Sequence, residues 1–198
     1  MAGDYTVFSA VLAQHGIIEA QNELELVSFC ESLSCYSRFT GRNVGIVTGS
    51  GGHGALAVDA CTDHGLAVPP LPLPLQQELR RHLSPSTQAI ASVGNPIDLT
   101  GSAVDDDFVA TVSHLSKTQE IDCIIVLMLP YLPAISSDLG ARLSQIYRQE
   151  RKPLIAYIPH IEKYGMLIEG FELNNIPVSP SIEGAVLMAT AMRRCRKC

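Results

Sequence analysis

The 198-residue chain contains no tryptophan. No aromatic residue borders its glycine cluster in sequence either, so a stacking platform for a flavin, and with it an electron-carrier role, is not expected. Basic residues are outnumbered: 14 Lys and Arg against 20 Asp and Glu give a formal net charge of −6. A general binder of nucleic acid or of an anionic membrane wants the opposite balance, so neither partner is expected. No apolar run approaches the roughly 20 residues of a membrane span. The longest, around Ile124–Leu129, has the length of a buried strand. The Met-Ala-Gly-Asp start lacks the basic and apolar segments of a signal peptide, which points to the cytoplasm. Charged residues are too few, at 17%, and hydrophobic ones too many, at 46%, for wholesale disorder.

Several chemical signatures are missing as well. There is no GxSxG elbow, HExxH pair or Walker A lysine. The six cysteines, at 30, 35, 61, 123, 195 and 198, are irregularly spaced, and Cys61 and Cys123 lie in apolar segments. They read as reduced thiols, several of them in the core. Cys195 and Cys198 form one CxxC pair without a second ligand pair, so no metal site is assigned and a frayed tail is expected.

What is present is a regular alternation of apolar runs and helical patterns. Asn43–Thr48 is a β-branched run ending in glycines, hence a buried strand and a loop. A small-residue helix over 52–64 follows, with Gly65 placed to end it. Leu66–Val68 reads as a short strand, the alternating prolines of 69–75 as an extended connector, and Gln76–Leu83 as a helix. A short strand is expected at Ala89–Val93 in an otherwise loop-rich stretch, then a helix over Asp105–Ser116. The run IDCIIVLML (121–129) is apolar on both faces, the mark of a central parallel strand. Helix (136–150), strand (153–158), helix (161–173), strand (176–178) and helix (181–194) complete the pattern. Five such β-α units predict an α/β fold: a three-layer open parallel sheet of flavodoxin-like type, with strand order near 2-1-3-4-5. The first 38 residues fit less well. Helices at 5–14 and 22–34 around a short strand at 17–20 look like the end of a preceding α/β domain, with a linker at 37–41 before the complete domain of 39–198.

The main chemical feature is Thr48-Gly49-Ser50-Gly51-Gly52-His53-Gly54, entered by a strand and left by a helix. The first N–H groups of a helix have no internal partner, and with the macrodipole they suit an anion. Glycines allow close backbone approach, and Thr48 and Ser50 carry hydroxyls. A plain phosphate at residues 50–54 fits this loop better than a dinucleotide; a tight turn without ligand uses the same glycines. His53 is compatible with a solvent-facing ring, a phosphate contact or a phosphorylated nucleophile. A second motif, Gly94-Asn95-Pro96-Ile97-Asp98-Leu99-Thr100-Gly101, predicts a turn supported by Asn95 and Asp98. The Asp98 carboxylate suits either a backbone-satisfying turn or ligand chemistry. Asp105-Asp106-Asp107 reads as an acidic helix start before a cation site. His160 follows a strand on the functional edge, while His15, His64, His82 and His114 show no partner pattern in sequence.

With both motifs in hand, the chain resembles the NDP-forming acyl-CoA synthetases, typified by ADP-forming acetate–CoA ligases and related to succinyl-CoA synthetase. In that family a strand of type R-V-A-I-V-T leads into N-S/A-G-G-P-G and a helix with A-A-D. Here Arg42-Asn-Val-Gly-Ile-Val-Thr48 leads into Gly49-Ser50-Gly51-Gly52-His53-Gly54 and Ala57-Val58-Asp59. The family's A-S-x-G-N-P-x-D is matched by Ala91 through Asp98. The resemblance implies the second succinyl-CoA-synthetase-like domain of an α-type chain, where a helix N-terminus holds a phosphohistidine. It makes Ser50, Gly51, Gly52 and Gly54 phosphate-contact candidates, whereas Gly49 and His53 replace the usual asparagine and proline. It implies no permanently bound cofactor. CoA and ADP or ATP would be handled by a CoA-binding domain and an ATP-grasp module, as partner domains or subunits, with a homodimer also possible. Residues 2–36 resemble the segment after the family's catalytic histidine, so no catalytic residue is assigned and the isolated chain is expected to be inactive. A regulatory or scaffolding module of a CoA-ligase-like or acetyltransferase fusion protein is the alternative.

Overall fold

The computed structural model describes residues 4–36, 41–130 and 132–194. Five parallel strands form one sheet in the order β2-β1-β3-β4-β5: β1 Val44–Thr48, β2 Ile97–Asp98, β3 Cys123–Leu127, β4 Leu154–Tyr157 and β5 Val178–Ser179. The expected flavodoxin-like order is thus observed. The register aligns the strand ends: Thr48 sits opposite Asp98 on one side and Leu127 on the other, and Leu127 opposite Tyr157. Every residue of β1 and β3 is buried, because both sheet faces are covered by helices.

Alternate residues serve two cores. Val47, Ile124, Val126, Leu154 and Ala156 pack in one. Ile46, Ile125, Leu127 and Ile155 pack in the other, against the helices α3 (Gly51–Asp63) and α9 (Ile182–Arg194). Small residues let those helices sit close: Ala57, Ala60, Cys61, Ala185 and Ala189 face the sheet. α4 (Leu73–His82), α6 (Asp105–Lys117), α7 (Leu139–Glu150) and α8 (Gly165–Glu172) belong to the first core, through residues such as Leu79, Phe108, Leu143 and Phe171. Gly65 ends α3 as its pattern requires. At φ +70° it lets its own N–H reach Thr62 O at 3.0 Å and that of Leu66 reach Cys61 O at 2.8 Å.

Four local expectations need correction. Leu66–Val68 is not a strand of the sheet; it gives one parallel bridge, Asn43 with Ala67. The strand beside β1 is Ile97–Asp98 instead, within the motif read as a loop. Ala89–Val93 is not a strand: α5 (Pro85–Ile90) runs into it, and Ser92 bridges Asp98 antiparallel. Residues 17–20 form no strand; Ile18 and Ala20 instead pack against Phe29, Leu187 and Ala191. The proline connector is shorter than expected, since α4 starts at Leu73 with Pro74 in its first turn, where a missing N–H costs little.

At the N-terminus, α1 (Tyr5–Gln14) and α2 (Glu23–Cys35) begin at side-chain caps, Asp4 and Asn22. α2 lies against α9, with Phe29 between them and Leu187 and Ala191. Tyr36 reaches further: its hydroxyl donates to Leu154 O at 2.6 Å and accepts from Leu154 N–H at 3.3 Å. The boundary proposed at residue 38 falls among residues 37–40, and the CxxC tail at 195–198; both lie outside the described residues. Cys61 and Cys123 are buried free thiols; burial pushes the Cys61 thiol up to about 12 and the Cys123 thiol above its ordinary range.

Candidate functional site at the start of helix α3

The strand order reverses between β1 and β3, and in open parallel sheets the crevice past the carboxyl ends at that point is where ligands settle. The glycine loop lies there. Thr48, the last residue of β1, is fully buried and folds its hydroxyl into the turn: Oγ1 donates to Ser50 O at 3.2 Å and accepts from Ser50 N–H at 3.1 Å. Gly54 N–H closes the first helical bond, to Ser50 O at 3.0 Å. Two of the five candidate positions, Ser50 and Gly54, therefore have their amides engaged, and Thr48 offers no free hydroxyl. The N–H groups of Gly51, Gly52 and His53 meet no acceptor among the described residues. Ser50 occupies the N-cap without a side-chain cap bond. The helices α6 and α9 leave the same sheet edge capped from within. Asp107 Oδ2 accepts from Val104 N–H at 3.0 Å, and Ser181 Oγ accepts from Gly184 N–H at 3.0 Å. The mouth of α3 is left bare by comparison.

Gly54 is buried for a packing reason. A Cβ there would sit 3.3 Å from both Pro96 and Thr48, so the glycine lets the second motif press against the helix start. That motif is anchored by Asn95, whose side chain works as a piece of strand. Its Oδ1 accepts from Ile46 N–H at 3.0 Å, and its Nδ2 donates to Val44 O and Pro69 O, both at 2.9 Å. Asn95 thus ties the second motif to the edge of β1. Asp98 Oδ1 accepts from Thr100 N–H at 2.9 Å, the turn-forming role. Its Oδ2 lies 3.1 Å from where a Gly51 Cβ would stand, so a carboxylate flanks the bare helix mouth.

Other groups converge that spacing alone does not reveal. The His53 ring stands 6.1 Å from the Tyr157 ring, at the end of β4. An aromatic therefore does adjoin the loop in space, although none does in sequence, and burial pushes the Tyr157 hydroxyl above its usual pKa. On the other side, Leu129 and Leu132 would meet a Gly49 Cβ at 3.3 Å. Tyr164 Oη fixes that wall by donating to Leu129 O at 2.6 Å. Among the remaining candidates, His160 is exposed. The three aspartates of α6 do not converge: Asp105 holds Ser136, Asp106 pairs with Arg142, and Asp107 is buried under Ser84 and Thr87.

Comparison with known proteins shows what the chain is similar to. The family described as Ligase-CoA domain matches residues 44–156. ADP-forming acetate–CoA ligase I of Archaeoglobus fulgidus is 30% identical over 145 residues, which cover 71% of this chain and 20% of that one. The α subunit of ADP-forming acetate–CoA ligase I of Pyrococcus furiosus is 27% identical over 202 residues, covering all of this chain and 42% of that one. Among solved structures, the dinucleotide-forming acetyl-coenzyme A synthetase 1 of Ca. Korarchaeum cryptofilum, in its apo form, superposes with a TM-score of 0.85 at 22% identity. That match covers 98% of this chain and 42% of that one. The same enzyme has been solved in complex with phosphate and ADP, and matches at the same TM-score. The chain spans less than half the length of each of these relatives.

Proposed function

Because the chain belongs to the Ligase-CoA domain family, we propose that it is the phosphate-holding domain of an NDP-forming acid–CoA ligase. The reaction of the whole assembly is acid + CoA + NTP to acyl-CoA + NDP + phosphate. The observation that carries this reading is the trio of unpartnered N–H groups at Gly51, Gly52 and His53, opening at the strand-order reversal. A phosphohistidine brought by another segment would direct its phosphoryl oxygens at these donors and at the Ser50 hydroxyl. Charge-assisted bonds of this kind contribute about 1.5–3 kcal/mol each, and the helix dipole adds up to about 2 kcal/mol. Asp98 Oδ2, without a donor among the described residues, would accept a proton-bearing group that accompanies the phosphoryl. CoA and the nucleotide would be handled by a CoA-binding domain and an ATP-grasp module, in agreement with the short span of this chain against its relatives. Exposed apolar side chains on α1 and α2, including Val7, Phe8, Leu26 and Val27, offer such domains a surface.

The test is a titration of the isotope-labelled chain with inorganic phosphate, followed by the amide resonances of Gly51, Gly52 and His53. A Gly52 side chain has room, since the nearest atom to a Cβ is Ser50 Oγ at 3.8 Å. Gly52→Glu then sets a carboxylate in the anion site without crowding, and Gly52→Gln controls for size. Expected are shifts confined to the three amides, abolished in the Glu variant and retained in the Gln variant. Phosphoryl transfer from labelled ATP to histidine, in a mixture with CoA-binding and ATP-grasp partner chains, should fall at least tenfold in Gly52→Glu. Unchanged transfer refutes the proposal. The Asp98 carboxylate at the mouth favours a second reading, a scaffolding module, because it opposes a dianion. Amides indifferent to phosphate, in a chain that still binds its partner domains, decide for that reading.

A further inference from the structure

Glu78 and His82 stand four residues apart on α4, so one turn brings them to the same face. α6 packs beside α4 and brings His114 to that pair. One ligand atom from each of Glu78, His82 and His114 lies within 4.8 Å of the other two. The two imidazole centroids are 4.7 Å apart, with the rings inclined at 47°. Two rings bound to one ion through nitrogens at about 2.0–2.1 Å have centroids roughly 4.5–5.2 Å apart at right-angled to tetrahedral ligand angles, which brackets this spacing.

Each ring also has its Nδ1 within hydrogen-bond distance of a backbone carbonyl. His82 Nδ1 is 2.9 Å from Glu78 O, and His114 Nδ1 is 2.7 Å from Ala110 O. A carbonyl can only accept, so in the neutral rings Nδ1 carries the proton and Nε2 keeps its lone pair. Metal-binding histidines are oriented in this way, with the outer N–H on a carbonyl. The carboxylate has two weak, exposed partners: Arg81 Nη1 is 3.7 Å from Glu78 Oε2, and His82 Nδ1 is 3.7 Å from Glu78 Oε1. Two imidazoles and a carboxylate suit zinc and its borderline neighbours, whereas calcium and magnesium favour all-oxygen sets.

We propose that Glu78, His82 and His114 form a binding site for a zinc-class divalent ion, which ties the end of α4 to α6. The site lies on the opposite face of the sheet from α3 and does not depend on the phosphate reading. Water completes the coordination shell, and an ion bound only to the folded chain stabilises it.

The experiment is calorimetric titration of the full chain with zinc chloride in a non-chelating buffer, together with thermal unfolding. Cys195→Ser and Cys198→Ser are introduced throughout, to remove the thiol pair as a rival. Expected are one saturable zinc per chain and a raised Tm. His82→Ala and His114→Ala should each weaken binding about tenfold or more and abolish the Tm gain, while His160→Ala leaves both unchanged. Glu78→Gln, which keeps size and fold, should weaken zinc and leave the metal-free Tm in place. The cobalt-loaded chain should show no thiolate charge-transfer band. Zinc affinity unchanged from the parent in the two histidine variants, no saturable binding in the parent, or a thiolate band overturns the proposal.

Discussion

At the scale of single residues, Asp107 is a carboxylate held inside the fold, away from the glycine loop. Its side chain is fully buried. Burial by itself pushes the carboxyl pKa up. Four donors outweigh it: the N–H groups of Ser84 and Val104, and the hydroxyls of Thr87 and Ser84. The net effect holds the carboxyl below its ordinary value of about 3.9. A depressed folded-state pKa adds stability that is present above the unfolded value and lost as pH falls through the folded one. Asp107→Asn, which removes the charge and turns one acceptor into a donor, should therefore cost about 1–3 kcal/mol at neutral pH. The difference from the parent should shrink as pH falls below about 4. Urea unfolding of both proteins at pH 7 and pH 3 checks this; a pH-independent difference would assign Asp107 a purely steric role.

At the scale of elements, the outer edge of β1 is completed from three separate pieces of chain. Ala67 pairs near its start, with Val44 N–H on Ala67 O at 2.7 Å; the Asn95 side chain serves Val44 and Ile46; and β2 pairs Val47 and Thr48. This patchwork explains which parts of the fold were legible. Long apolar runs such as Cys123–Leu127 announce buried strands because both their faces are covered. Ile97–Asp98 does not, since two residues have no periodicity and pair only because Asn95 and Pro96 deliver them to β1. The glycine loop was legible as a turn because its geometry is local, a strand end followed by a helix start. Asp98 and Tyr157 end other strands, Leu129 and Leu132 follow β3, and only the register brings them to it. Asn95→Ala should strand the Ile46 N–H and the Val44 and Pro69 carbonyls in a dry environment, at a cost of about 2–4 kcal/mol. Hydrogen exchange at Ile46 should accelerate by orders of magnitude, while that at Ile125, deep in β3, keeps pace only with global unfolding. An unchanged Ile46 rate would mean that water or a neighbour replaces the amide.

At the scale of the whole molecule, the open matter is whether the first helices are an appendage or part of one cooperative unit. The sequence suggests the former, a tail left from a neighbouring domain. The contacts bear on the latter. Phe29 of α2 is 4% exposed and packs on Leu187 and Ala191 of α9, the helix that also covers β3 and β4. Two further ties cross the boundary. The Tyr36 hydroxyl satisfies both backbone groups of Leu154, and Glu31 Oε1 accepts from Val178 N–H at 3.2 Å, completing strands that lack a neighbour at those positions. Removing α2 would thus uncover one face of α9 and unpair main-chain groups of β4 and β5. Truncating Phe29 to alanine tests the coupling with a single change. In a cooperative unit the lost packing, about 3–5 kcal/mol, lowers the stability of everything together. Circular dichroism and the accessibility of the buried Cys61 thiol to a small alkylating reagent, read by mass spectrometry, should then shift to lower urea as one transition, with an unchanged denaturant slope. An appendage would instead melt early as a minor helical step, leaving the Cys61 transition where it was.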